Sequence, residues 1–185
     1  MGLLIAISGA TASGKSTFAA GLCDLLGSRS KVLLNQDHYF RDFQEIPGDS
    51  REEALTSNQP GAVKWNDLVY HLETLKSGGT VTVPVVGTRA RLRGDEPKDL
   101  GPSELVIVEG HLLFNEDRIL GLSDLLIFMD ANSHERAVRR LLRDTESGKM
   151  TLERAGRWYR KDVIPNVGTY SEAKRDLADV IVPFD

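Results

Sequence analysis

One octapeptide constrains this chain more than any other part of it. Gly9-Ala10-Thr11-Ala12-Ser13-Gly14-Lys15-Ser16 fits the pattern G-x-x-x-x-G-K-[ST]. The pattern works only between a strand and a helix, and both flanks comply. Leu3 to Ile7 is an apolar run of strand length, while Ser16 to Leu26 carries Phe18, Leu22, Leu25 and Leu26 at helical spacing, with Gly27 as a stop. In such a unit the glycines let backbone N–H groups turn toward phosphate oxygens, and the helix N-terminus adds partial positive charge. Lys15 is then expected to meet the β- and γ-phosphates, Ser16 to hold Mg²⁺ through its hydroxyl, and Thr17 to donate to the α-phosphate. Gly9 through Thr17 is therefore a candidate site for a nucleoside triphosphate.

The remainder reads as strands alternating with helices, which argues for a parallel sheet covered by helices in an α/β fold. Lys31 to Leu34, Val106 to Val108, Leu125 to Met129 and Val180 to Val182 are short apolar runs typical of buried strands, and Thr80 to Pro84 alternates. Val63 to Leu75 places Leu68, Leu72 and Leu75 on one helical face. Arg41 to Gln59 is polar and without period, so a mobile loop is expected there, and Arg89 to Gly101 reads as a charged loop. The 185 residues show no repeat or linker, which predicts one domain over 1–185.

Charge and composition narrow the partners. Lys plus Arg number 23 against 27 Asp plus Glu, a formal charge of −4, so no global basic field exists for nucleic acid or an anionic membrane. Any anion must be bound locally. The longest apolar runs fall far short of the roughly 20 residues a membrane span needs. The lone cysteine, Cys23, cannot form an intramolecular disulfide, and no export or lipid signal is visible at the N-terminus; both lead us to expect a cytoplasmic protein.

In open α/β sheets ligands bind beyond the carboxyl ends of the strands, so acids that follow buried runs are the candidates for chemistry. Asp37, after the run ending at Leu34, is placed to accept a proton from an acceptor hydroxyl and to help hold the metal; Glu109, closing Val106 to Val108 and followed by Gly110, is placed for the Mg²⁺ shell. Asp130 has the same address but reads as a turn or cap. Asn132 with Glu135 resembles a capping box, opening a helix with an apolar stripe of Ala137, Val138, Leu141 and Leu142. Arg136, Arg139, Arg140 and Arg143 form the opposite stripe with no interleaved acid, which suggests a bound polyanion. The four histidines show no zinc spacing. Trp65, Trp158 and Tyr159 read as packing residues, while Tyr39-Phe40 beside Asp37 could stack a base.

With these residues in view, the chain resembles the uridine kinase and nicotinamide riboside kinase branch of the P-loop kinases, which includes phosphoribulokinase. The resemblance runs nearly end to end: Gly9 to Thr17, Gln36-Asp37-His38-Tyr39-Phe40, Val106 to Gly110, Arg139-Arg140-Leu141-Leu142-Arg143-Asp144, and Leu177 to Pro183. It implies a P-loop NTPase three-layer sandwich with a five-stranded parallel sheet and a short mobile lid near 139–152, with acceptor-binding excursions near 38–62 and 84–101. It further implies Asp37 as general base, Glu109 with Ser16 and Asp37 around Mg²⁺, and Arg139 and Arg143, with Arg140 beside them, closing over the triphosphate. Catalysis would then rest on Asp37, Lys15, Arg139 and Arg143, and acceptor binding on Asp37, Tyr39, Arg91 and Arg93.

Departures from the family pattern gather where the acceptor should sit. Asn58 and Lys64 stand where carboxylates are usual, Val86 and Gly87 replace an aromatic and an acid, and Ser147-Gly148-Lys149 resembles an Arg-Gly-Arg lid element with one arginine lost. Together with Arg89, Arg91 and Arg93 these shift the expected pocket toward positive charge, which suits a carboxylated or phosphorylated alcohol better than uridine. The leading expectation is an ATP- and Mg²⁺-dependent small-molecule kinase acting on a nucleoside-like acceptor. The alternatives are a kinase for an anionic sugar or other anionic alcohol, or a nucleotide-binding regulator that has lost catalysis. A GTPase switch is disfavoured by the absence of N-K-x-D and of a D-x-x-G at a strand end.

Overall fold

The computed structural model describes residues 2–42, 56–146, 148 and 150–184. Strand β1 (Leu3–Ser8) runs into the glycine loop and helix α1 (Lys15–Leu25), then β2 (Lys31–Asn35) and a 3₁₀ turn (Gln36–Tyr39). Helix α2 (Trp65–Lys76), β3 (Val81–Val83), α3 (Arg89–Leu92), β4 (Lys98–Leu100) and β5 (Leu105–Glu109) follow. The remainder comprises α4 (Asp117–Leu122), β6 (Leu125–Asp130), α5 (Ser133–Glu146), α6 (Leu152–Trp158), a π-helical turn (Tyr159–Val163), α7 (Ile164–Tyr170) and β7 (Val180–Pro183).

Five strands form a parallel sheet in the order β2-β5-β1-β6-β7. Parallel neighbours require crossovers, and the helices that make them cover both faces. Alternate residues therefore serve two cores. Leu4 and Ala6 of β1 and Val106 and Val108 of β5 pack with Leu68, Leu72 and Leu75 of α2. Ile7 and Ile107 point the other way, toward Ala19, Phe18 and Leu22 of α1. The central runs, β5 above all, read as continuously apolar because helices cover both of their faces.

The run at 80–84 does not join this sheet. As β3 it pairs antiparallel with β4, so the stretch read as a charged loop at 89–101 instead contains a helical turn and a strand. Of the loop expected over 41–59, positions 43–55 lie outside the described residues, as do Ser147 and Lys149.

Candidate active site

The carboxyl ends of β1, β2 and β5 open into one cleft of about 790 Å³, and the glycine loop forms its floor. The loop's backbone is what lets it curl. Gly9 has φ +144° and Gly14 φ +88°; a Cβ on Gly9 would lie 2.6 Å from the Met129 carbonyl oxygen, and one on Gly14 would lie 2.8 Å from the Phe184 ring. Even Ala12 is held at φ +60°, an uncommon conformation for a residue with a Cβ. Thr11, Ala12, Gly14, Lys15, Ser16 and Thr17 face the cleft, with Gly9, Ala10 and Ser13 behind them. Ser13 Oγ is buried and has no hydrogen-bond partner among the described residues, so the cradle contains one uncommitted polar atom.

Lys15 is buried, and its Nζ donates to the Ala10 carbonyl at 2.8 Å. Burial draws its pKa down to about 8, against the opposing pull of Glu109 and Asp37. Glu109 is buried at the end of β5 and accepts from Ser16 Oγ at 2.9 Å and from Asn35 Nδ2 at 2.6 Å. Its pKa is raised, mainly by burial, with Lys15 and the Ser16 hydrogen bond opposing. Asp37 lies exposed at the mouth on the 3₁₀ turn after β2 and also lines the cleft. Two carboxylates, a hydroxyl and an ammonium thus converge where a phosphate chain would meet the cradle. The carboxylates and the hydroxyl are hard oxygen donors that fit Mg²⁺, which is usually held by one or two carboxylates together with substrate phosphates.

Helix α5 supplies the opposite wall. Arg139, Arg140 and Arg143 line the cleft. Arg140 donates from Nη1 to Thr11 Oγ1 at 2.7 Å and from Nε to Asp144 at 2.6 Å. The Arg139 guanidinium sits 5.3 Å from the Phe184 ring centroid, and its Nη1 is buried with no hydrogen-bond acceptor among the described residues. Arg136 departs from the expected arginine stripe: it is buried, donates from Nε to the Ala131 carbonyl at 3.0 Å and pairs with Glu172. It anchors the helix to Glu172 and does not line the cleft. The expected apolar stripe is also split: Val138 is 54 % exposed and Leu142 51 %, while Ala137 and Leu141 are half-buried. Arg139 and Arg140 are directed at Phe184 and the cradle, while Arg143 stays exposed at the cleft edge. Asn132 accepts from the His134 N–H at 2.9 Å, while Glu135 lies 3.8 Å from Arg139. Asp130 accepts from Arg175 at 2.9 Å, in keeping with a structural role.

The acceptor side needs three corrections. Tyr39, expected to contact the acceptor, is fully buried and shares a 2.9 Å hydrogen bond with His71 Nδ1. The 3₁₀ turn sends Asp37 outward and Tyr39 into the core, leaving Phe40 as the aromatic residue of that pair on the cleft wall. Arg91, also expected there, donates to the Asp95 carbonyl at 3.1 Å and does not line the cleft; Arg89 and Arg93, one helical turn apart on and just beyond α3, do. The ammonium of Lys64 is taken by the Val86 carbonyl at 2.8 Å, so it adds no charge to the cleft lining.

His111 on the lining and Asp162 behind it had no local signal in the sequence. His111 shares a 2.8 Å hydrogen bond between Nε2 and the Ser57 carbonyl, and burial lowers its pKa to about 4. A carbonyl can only accept, so Nε2 carries the proton and the neutral ring is fixed in one tautomer. Asn58 is buried, and its amide donates to Asp162 on the π-helical turn, which also accepts from Thr56 Oγ1 at 2.8 Å and Asn166 Nδ2 at 3.0 Å. Asp162 thus holds the 56–58 wall from behind, and only the tertiary fold brings it there.

The parallel sheet, the strand-loop-helix cradle and the arginine-bearing helix define a P-loop kinase fold. The Phosphoribulokinase / Uridine kinase family pattern matches residues 4–184, and the chain belongs to that family. It is 34% identical over 184 residues to a uridine kinase of Mycoplasma pneumoniae, covering 99% of this chain and 85% of that one. It is 32% identical over 186 residues to a uridine kinase of Haemophilus influenzae, covering 98% and 86%. Among solved structures, a Silicibacter sp. protein assigned as a fructose transport system kinase superposes with a TM-score of 0.80 at 23% identity, over 98% of this chain and 90% of that one. Among the described residues no helix is long and apolar enough to cross a membrane.

Proposed function

We propose that the chain transfers the γ-phosphoryl group of ATP to a hydroxyl of a small-molecule acceptor, with Mg²⁺ bound by Ser16, Glu109 and Asp37. The observation that carries this reading is the convergence of Lys15, Ser16, Glu109 and Asp37 at one end of the cleft, opposite Arg139, Arg140 and Arg143. Mg²⁺ would supply charge neutralisation at the β- and γ-phosphate oxygens.

The residues of the chain divide the remaining work. Loop N–H groups and Lys15 hold the phosphates, and Asp37 accepts the hydroxyl proton as the new O–P bond forms and the bond to the leaving β-phosphate oxygen breaks. Arg139, Arg140 and Arg143 balance the charge that spreads over the transferring group.

Identity with uridine kinases over nearly the whole chain supports a nucleoside hydroxyl as the acceptor. One observation favours a second reading, an anionic alcohol. Arg89 and Arg93 line the cleft on the side of Phe40, Asn58 and His111, and an amide stands at 58 where the family usually has a carboxylate. ATP consumption with Mg²⁺ should be measured against nucleosides, nicotinamide riboside, and carboxylated and phosphorylated sugar alcohols, with Lys15→Ala as the blank. Turnover of nucleosides supports the first reading and turnover of anions alone the second. ATP binding without transfer to any acceptor would favour a regulator and sink the kinase reading.

A further inference from the structure

We propose that Asn35 is a positioning residue of this site, a single carboxamide that fixes Asp37 and Glu109 relative to each other. The proposal rests on the kinase reading above and assigns a role to a residue that reading leaves without one. Asn35 ends β2 and pairs in register with Glu109 at the end of β5, so the two side chains leave adjacent parallel strands at the same level. Its Oδ1 accepts from the Asp37 N–H at 2.7 Å, and its Nδ2 donates to Glu109 Oε1 at 2.6 Å. The same Glu109 oxygen accepts from Ser16 Oγ at 2.9 Å. The orientation of the amide is determined by its partners, because a reversed carboxamide would set its NH₂ against the Asp37 N–H and its oxygen against the carboxylate.

Each end of the amide has its own consequence. Oδ1 caps the 3₁₀ turn, which decides where Asp37 leaves the strand and that Tyr39 goes inward. Nδ2 and the Ser16 hydroxyl together bind Glu109 Oε1, which fixes the carboxylate plane. Ser16 gives its only proton to Glu109 and keeps its lone pairs for a cation. Few side chains of this length can do both jobs. Aspartate would cap the turn but set a second negative charge against Glu109, and leucine of similar size would do neither.

Calorimetric titration of ATP into the full chain, once with EDTA and once with saturating Mg²⁺, separates nucleotide binding from the metal shell. Wild type is expected to bind ATP more tightly with Mg²⁺. In Asn35→Leu, the gain from Mg²⁺ should shrink by roughly 10–100-fold, the range seen when a hydrogen-bond partner of a metal-holding side chain is removed. Its metal-free ATP affinity should stay within about twofold of wild type, since the cradle itself is untouched. Asn35→Ala, which leaves more room for the backbone to settle, should show the same split, and melting curves establish that both variants are folded. An unchanged Mg²⁺ gain in both variants would overturn the proposal, and so would an equal loss of affinity with and without metal, which marks a merely structural residue. A wild-type protein whose ATP affinity ignores Mg²⁺ would overturn the kinase reading itself, a result distinguishable from the other two.

Discussion

Arg140 donates from Nη1 to the Thr11 hydroxyl at 2.7 Å, so helix α5 and the phosphate cradle share a direct side-chain contact. That contact places a fixed positive charge beside the loop while Asp144 holds the other edge of the same guanidinium. Arg140→Met should lower kcat by roughly 10–100-fold, in line with about 1.5–3 kcal/mol for a hydrogen bond to a charged group. Thr11→Val, which removes the neutral partner alone, should cost less than tenfold, about the worth of an ordinary hydrogen bond. Steady-state kinetics on the two variants makes the comparison.

Asp37 is the proton acceptor in the proposed reaction and reaches the cleft from an exposed turn. Asp37→Asn should therefore reduce transfer by roughly 10²–10⁴-fold, the usual contribution of a general base. Metal-free ATP affinity measured by calorimetry should stay close to wild type. Wild-type turnover in this variant would remove Asp37 from the mechanism.

Lys15, with its pKa drawn from 10.5 down to about 8, binds fewer protons folded than unfolded between those values. Stability should then rise with pH across that window, because the unfolded chain holds the extra proton. Lys15→Met should flatten this rise in denaturant titrations between pH 8 and 10. A bound triphosphate favours the charged ammonium, so ATP binding near pH 9 should take up a proton. Calorimetry in buffers of different ionisation enthalpy reads that uptake, which Lys15→Met should abolish.

Asp162 gathers donors from Thr56, Asn58 and Asn166 in a buried position. Asp162→Ala leaves the Asn58 amide buried without its acceptor and should cost about 2–4 kcal/mol in urea unfolding. Because Ser57 and Asn58 line the cleft, the acceptor KM should rise in the same variant by more than the ATP KM does. Equal changes in both would detach this wall from acceptor binding.

What the sequence discloses follows the range of the interactions that decide it. The cradle is local: a strand, nine residues and a helix contain the whole device, so Gly9 to Thr17 could be read directly. Glu109 was legible for a related reason, since an acid closing a buried run must emerge at the carboxyl edge of the sheet. Asn35 carries no such mark, because its role depends on the register of β2 against β5, two strands about seventy residues apart in sequence. Tyr39 misled because adjacency to Asp37 says nothing about which side of a tight turn each residue takes. Helix α5 misled differently: its periodicity was real, but the usual assignment of the apolar face to the interior failed where the arginines had the cradle to face.

Every residue of β5 is buried, from Leu105 to Glu109, and the strand is flanked on both sides by other strands. Amide protons there should exchange with solvent only when the whole fold opens, whereas β2 lies at the edge of the sheet and the turn bearing Asp37 beyond it can open locally. The two acids of the site therefore stand on ground of unequal permanence. Mild heat or denaturant would dislodge the proposed proton acceptor first, so the proposed phosphoryl transfer should fail while the cradle still holds a nucleotide.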